Sequence, residues 1–202
     1  MLLDQNKFVV KSQGKMFSSK KTYEIVDGES GQTLGTAKDT TGFIASLLGS
    51  TTIEVRDSSD DKVLFSVGRT GLLLKKDQVL DSQGQVVGRY KAKMFSLSGG
   101  FHVYDKDGKH LAEIQGNMFK ADYKFVTPDK SAEMGSVSKT WGGLAKSLLT
   151  GGGTYGVQID PKFAKDNTAK TLILGATIAV ESIFKKKAAK EAGASVGGGE
   201  EE

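Results

Sequence analysis

The chain has 202 residues, 38% hydrophobic and 26% charged, which suits one globular domain with a core of its own. It has no cysteine, so disulfides, thiolate catalysis and cysteine-based metal clusters are excluded, and a reducing, cytoplasmic setting is compatible with that. The formal charge of +4 understates the body of the chain: residues 1–190 hold 28 basic and 20 acidic groups, a balance that favours anionic partners such as a membrane surface.

Met1–Asn6 has no basic region followed by a long apolar stretch, so no secretory signal is expected there. Lys7–Ser12 reads as a first strand. Lys20 and Lys21 follow as a basic pair. Tyr23–Asp27 and Leu34–Lys38 form the first hairpin. Phe43, Ile44, Leu47 and Leu48 then have helical spacing. This insert is expected to close one end of the fold, with contact to a membrane surface or another protein as the alternatives.

Three more hairpins repeat one plan. Ile53–Asp57, Gln78–Asp81 and Phe101–Asp105 each end on an aspartate. Polar turns follow, then the strands Val63–Val67, Val86–Tyr90 and Leu111–Ile114. Asp57, Asp81, Asp105 and Asp129 are spaced by 24 residues. Aspartate accepts local backbone hydrogen bonds and glycine supplies positive φ, so such turns suit hairpins. The fifth hairpin, Tyr123–Thr127 with Met134–Ser138, departs by turning at Pro128-Asp129. Tyr155–Asp160 adds a strand, for about twelve in all.

A longer repeat overlies the short one. A shift of 100 residues aligns Tyr23 with Tyr123, Val26 with Val126 and Gly35 with Gly135. The same shift aligns Thr40, Gly42, Ala45 and Leu48 with Thr140, Gly142, Ala145 and Leu148. Both halves therefore place a hairpin before a short apolar segment, through duplication or through shared packing constraints.

Twelve strands closed on themselves enclose a space too wide for their own side chains, so a plug is required. Thr171–Phe184 supplies it. Its first ten residues carry no charge and no polar face, the mark of a helix buried on all sides. Fourteen residues rise only about 21 Å, short of the roughly 20 residues a membrane span needs. A core helix over about 168–187 is expected, built on Leu172, Ile173, Leu174, Ile178, Val180, Ile183 and Phe184. Asp166, Asn167 or Thr168 can cap its start. Residues 1–188 then make one domain, and 189–202 a disordered tail rich in glycine and glutamate.

These features resemble LURP-one-related and phospholipid-scramblase-like proteins, which share the tubby C-terminal fold. The residues that carry the likeness are the Asp-x-x-Gly hairpins, Gly116-Asn117 before Asp122–Phe125, Val137–Trp141, Tyr155–Pro161 and the helix Leu172–Ala176. The resemblance implies a mainly β fold, a twelve-stranded closed antiparallel barrel around a buried hydrophobic C-terminal helix. Tubby-type members bind phosphoinositides, and scramblase-type members are linked to membranes and calcium. A calcium segment should fall near Asp160–Asn167, but Lys162 and Lys165 interrupt its acidic residues, so no cofactor is expected.

No catalytic constellation is present. His102 and His110 read as ordinary hairpin histidines rather than metal ligands, so no metal site is assigned. Gly151–Gly156 satisfies G-x-G-x-x-G, yet a strand follows it where a nucleotide fingerprint needs a helix. Asp105-Lys106-Asp107-Gly108 is a turn rather than a calcium loop. Candidate anion contacts are Lys20, Lys21, Lys75, Lys76 and the alternating row Arg89, Lys91 and Lys93. The expected role is a non-enzymatic, monomeric module that docks on anionic phospholipid headgroups, cytoplasmic and peripheral at the membrane. The alternative is a soluble scaffold that binds another protein. Lipid scrambling ranks below both, and nucleic-acid binding is disfavoured by few aromatics and no known module.

Overall fold

The hairpins form for a recurring reason. At four of the five turns an aspartate closes the strand end and folds its carboxylate back onto the turn. Asp27 Oδ1 accepts from the Glu29 and Ser30 amides at 2.9 and 2.6 Å. Asp57 Oδ1 accepts from the Ser59 amide and hydroxyl. Asp81 Oδ1 takes the Gln83 and Gln85 amides, and Asp105 Oδ1 takes those of Asp107 and Lys109. Asp105-Lys106-Asp107-Gly108 is thus a turn, with Gly108 at φ 85°. In the fifth hairpin the equivalent residue is Thr127 rather than Asp129. The Thr127 amide bonds to the Ala132 carbonyl as the Asp27 amide bonds to that of Gln32. The 24-residue spacing therefore reaches Asp129 two residues too late, because this hairpin opens with a hydroxyl instead of a carboxylate. Each of the five hairpins carries a register shift at the corresponding place, one residue or two before the turn.

The structure is a computed structural model, and it describes residues 1–13, 22–70, 76–92, 100–117, 122–139 and 153–180. The strands are β1 (Lys7–Gln13), β2 (Thr22–Asp27), β3 (Thr33–Asp39), β4 (Thr51–Asp57), β5 (Val63–Thr70) and β6 (Lys76–Asp81). They continue with β7 (Val86–Ala92), β8 (Phe101–Tyr104), β9 (His110–Asn117), β10 (Asp122–Val126), β11 (Glu133–Ser138) and β12 (Thr154–Ile159). Every neighbour in sequence is a neighbour in space. β1 closes the ring by pairing antiparallel with β12, from Lys7 opposite Gln158 to Lys11 opposite Thr154. Closure leaves no edge strand to be covered.

Alternate residues point inward. Ile53 and Val55, Phe65 and Val67, Tyr123 and Phe125 are almost fully buried. A short helix, α1, spans Phe43–Leu47, and the interior is filled by helix α2 (Asn167–Ala179). Asp166 caps it, with Oδ1 accepting from the Ala169 amide at 2.9 Å. Every residue from Ala169 to Val180 is buried, including the expected Leu172, Ile173, Leu174, Ile178 and Val180. Ile183, Phe184 and the 189–202 tail lie outside the described residues.

The helix runs from one end of the barrel to the other. Near its start the Lys170 ammonium donates to the Leu3 carbonyl at 2.6 Å, just ahead of β1. Midway, the Tyr90 hydroxyl donates to the Leu172 carbonyl at 2.7 Å. Farther along, the Tyr123 hydroxyl meets Thr177 Oγ1 at 3.4 Å, beside the start of β10. Burial raises the Tyr90 and Tyr123 phenols, so both stay protonated donors. Facing β6 and β7 the helix carries Gly175, where a Cβ would lie 2.8 Å from Val79 Cγ2 and 3.1 Å from Tyr90 Oη.

Candidate functional site

Up-and-down topology gives the barrel two unlike ends. One end carries the five Asp- or Thr-capped turns and the entry to α2. The other carries the connections β1–β2, β3–β4, β5–β6, β7–β8, β9–β10 and β11–β12. Of these six, only β3–β4, residues 40–50, is described in full.

That connection holds α1 (Phe43–Leu47). Its base is tied down by polar contacts. The Thr40 amide donates to the Thr52 carbonyl at 3.0 Å, and the Thr52 amide donates to Thr41 Oγ1 at 2.8 Å. Asp39 Oδ1 accepts from the Thr41 amide at 3.0 Å. Gly49, at φ 73°, turns the chain back toward β4. The side chains above this base face outward: Phe43 is 80% exposed, Ile44 72%, Leu47 71% and Leu48 48%. Among the described residues only Met1 joins them as an exposed large apolar side chain. The expectation that this insert closes the barrel is therefore overturned. Helix α2 already fills the interior, which leaves Phe43–Leu48 nothing to cover.

The sequences of the neighbouring connections have the same character. Met16 and Phe17 lie between β1 and β2, Leu72, Leu73 and Leu74 between β5 and β6, and Met94, Phe95 and Leu97 between β7 and β8. Met118-Phe119 and Trp141, Leu144, Leu148 and Leu149 occupy the last two. Lysines accompany each: Lys15, Lys20, Lys21, Lys75, Lys93, Lys120 and Lys146. The turns of the opposite end, by contrast, read Gly28-Glu29-Ser30, Ser58–Lys62, Ser82–Gln85 and Lys106–Lys109, with no large apolar residue. The asymmetry is legible in the sequence once alternate connections are compared, and reading hairpin by hairpin hides it.

Of the candidate anion contacts, Lys20, Lys21, Lys75 and Lys93 lie outside the described residues. Lys76 opens β6, opposite Thr70 of β5. Arg89 and Lys91 share the outer face of β7, as their spacing predicts, but they differ in availability. Arg89 Nη1 donates to the Lys106 carbonyl at 2.9 Å, tying it to the β8–β9 turn, whereas Lys91 is exposed. Lys139, just past β11, places its ammonium 5.5 Å from the Tyr155 ring centroid. At the same end Arg69 Nε and Nη2 meet the two Asp77 oxygens at 2.7 and 2.9 Å, both side chains nearly buried.

The acidic residues of the expected calcium segment serve as caps. Asp160 Oδ1 accepts from the Lys162 amide at 2.9 Å, and Asp166 caps α2. A polar cleft of about 250 Å³ opens at the turn end beside Asn6, Lys7, Glu29 and Gln158, where Lys7 pairs with Glu29 at 2.7 Å. The two histidines sit on the outer wall, on β8 and β9. Their shared hairpin brings them together: His102 Nδ1 lies 3.1 Å from His110 Nε2.

The Scramblase family profile matches residues 5–186, from just before β1 to past α2. The chain belongs to the Scramblase family. The match spans the whole barrel together with its core helix, so α1 and the buried α2 both lie within the matched residues. No solved structure matches this scramblase-family chain. Among its described residues no helix is long and apolar enough to cross a membrane.

Proposed function

We propose that this scramblase-family protein is a non-enzymatic module that docks on anionic phospholipid headgroups, phosphoinositide-like lipids among them, with the connection end of its barrel. The observation that carries the reading is α1, whose Phe43, Ile44 and Leu47 are each more than two-thirds exposed on a polar, hydrogen-bonded base. A short amphipathic segment of that kind places apolar side chains at the acyl boundary while nearby cations meet the headgroups. The excess of basic over acidic groups in residues 1–190 and the lysines of the neighbouring connections support an anionic surface over a neutral one. The full burial of Ala169–Val180 supports docking over lipid translocation by this helix. Engagement of Asp160 and Asp166 as caps supports binding without calcium. A peripheral place at the cytoplasmic face of a membrane goes with this reading.

The exposure of Phe43–Leu48 also suits a second reading, a protein-binding scaffold. Co-sedimentation of the full chain with phosphatidylcholine vesicles, with and without phosphatidylserine, separates the two. Docking requires binding to the anionic vesicles, little to the neutral ones, and weakening as salt is raised. Equal or no binding to both overturns it in favour of the scaffold. Activity outside the membrane can then be sought by pull-down.

A further inference from the structure

The geometry points to a divalent transition-metal site of the zinc type on the outer wall of the β8–β9 hairpin, with His102, His110 and Glu113 as ligands. His102 stands directly opposite Glu113 in the ladder. The register shift between Val103 and Tyr104 then sets Tyr104 opposite His110, which brings the second imidazole back toward the first. His102 Nδ1 lies 3.1 Å from His110 Nε2 and 3.7 Å from Glu113 Oε1. One ligand atom from each residue fits within 4.8 Å of the other two. Zinc holds nitrogen and carboxylate ligands at about 2.0–2.2 Å, so neighbouring ligands of a tetrahedral ion stand about 3.4 Å apart. Two of the present separations bracket that value, and the third is no more than 4.8 Å.

The surroundings suit a held metal. Glu113 is nearly buried at 6% exposure, and its two oxygens are divided in use. Oε2 faces Lys130 Nζ at 3.7 Å and Gln115 Nε2 at 3.5 Å, while Oε1 lies 3.7 Å from His102 Nδ1. The Tyr104 ring packs against both histidines, with centroids 5.2 Å from His110 and 6.0 Å from His102. Three protein ligands leave a fourth position for water or an anionic oxygen. Lys91 stands opposite His102 on β7.

Composition makes the test clean. The chain has two histidines and no cysteine, so nitrogen or sulfur coordination has no other side-chain source of comparable affinity. The untagged full chain is titrated with Zn²⁺ by calorimetry, and with Co²⁺ to read the visible absorption of a tetrahedral site. One ion per chain is expected, with simultaneous shifts of both histidine ¹⁵N resonances at one equivalent of Zn²⁺. His102→Gln, His110→Gln and Glu113→Gln should each weaken binding roughly 100-fold while the circular dichroism of the barrel is retained. Should a variant fail to fold, the ¹⁵N shifts of the unaltered chain decide the matter. No uptake at about 1 mM Zn²⁺, shifts confined to one histidine, or unchanged affinity in the folded His102→Gln variant overturns the site.

Discussion

Replacing Phe43 and Leu47 by serine tests the docking end where it is most exposed. Full burial of a phenylalanine or leucine side chain contributes about 1.5–3 kcal/mol. Phe43 is 80% exposed and Leu47 71%, so most of that term is still available to a membrane. Scaling by exposure gives about 1–2 kcal/mol for each residue, or about 2–4 kcal/mol for the pair. The partition coefficient onto phosphatidylserine-containing vesicles should then fall roughly 30- to 700-fold. Because these side chains cover nothing in the folded chain, denaturant stability should move by less than about 0.5 kcal/mol. Co-sedimentation across lipid concentration measures the first quantity, and urea unfolding followed by circular dichroism the second. A change in partition under threefold, with stability intact, refutes the assignment of α1 to the membrane. A large loss of stability refutes the account of α1 as unpartnered.

Two further predictions concern the barrel itself. Gly35 and Gly135, which correspond under the 100-residue offset, both sit where a Cβ would strike the next strand. At Gly135 it would lie 2.6 Å from the Gln158 carbonyl oxygen and 2.9 Å from Ile173 Cδ1, and at Gly35 it would press on the Arg56 carbonyl. Gly35→Ala and Gly135→Ala should each destabilise by about 1–3 kcal/mol in urea unfolding; Gly42→Ala, with no atom within 4 Å of the added methyl, serves as the neutral control. The second concerns Asp57, which is 1% exposed. Burial pushes its carboxyl up, but the Leu2 amide and the Ser59 amide and hydroxyl outweigh it, so the folded value lies below the ordinary one. The ionised form is favoured in the folded state, so its stabilisation is present above the ordinary carboxylate range and is lost as pH falls through the folded value. Asp57→Asn should cost about 1.5–3 kcal/mol at neutral pH and flatten the loss of stability between about pH 5 and pH 3.

The hairpins were legible because their turn chemistry is local. An aspartate that takes amides two to four residues on needs nothing beyond its own turn, and the strands predicted around Asp27, Asp57, Asp81 and Asp105 formed within a few residues of their expected limits. Thr127 hid because a hydroxyl does the same work without the expected letter. The role of the glycine shared by the two halves became clear only with the strand packing. The exposure of Phe43–Leu48 was not legible at all. Helical spacing of Phe43, Ile44, Leu47 and Leu48 is the same whether the apolar face meets a core or a lipid, and only the filled interior decides it. The meeting of His102, His110 and Glu113 was hidden for a different reason. His102 and Glu113 are eleven residues apart, and their meeting depends on a register set by one bulge. The shared strand face that spacing predicts for Arg89 and Lys91 did not reveal that Arg89 is occupied by the Lys106 carbonyl.

The filled interior also bears on how the proposed docking on a membrane would work. Leu172, Ile173, Leu174, Ile178 and Val180 are each at most 2% exposed inside the barrel. Removing those five side chains from their burial costs about 7–15 kcal/mol, comparable to the whole stability of a domain, about 5–15 kcal/mol. Lipid could compensate α2 for that loss if the helix moved into a bilayer. It could not compensate the inner wall, where Val67, Val79, Val103 and Phe125 would face an emptied space. The helix also donates and accepts across that wall through Tyr90, Tyr123 and Lys170, so its departure would strand buried polar groups as well. Core helix and barrel therefore stand or fall together. On the proposed docking reading the membrane is met from outside, by the barrel end whose one fully described connection holds Phe43, Ile44 and Leu47 in solvent.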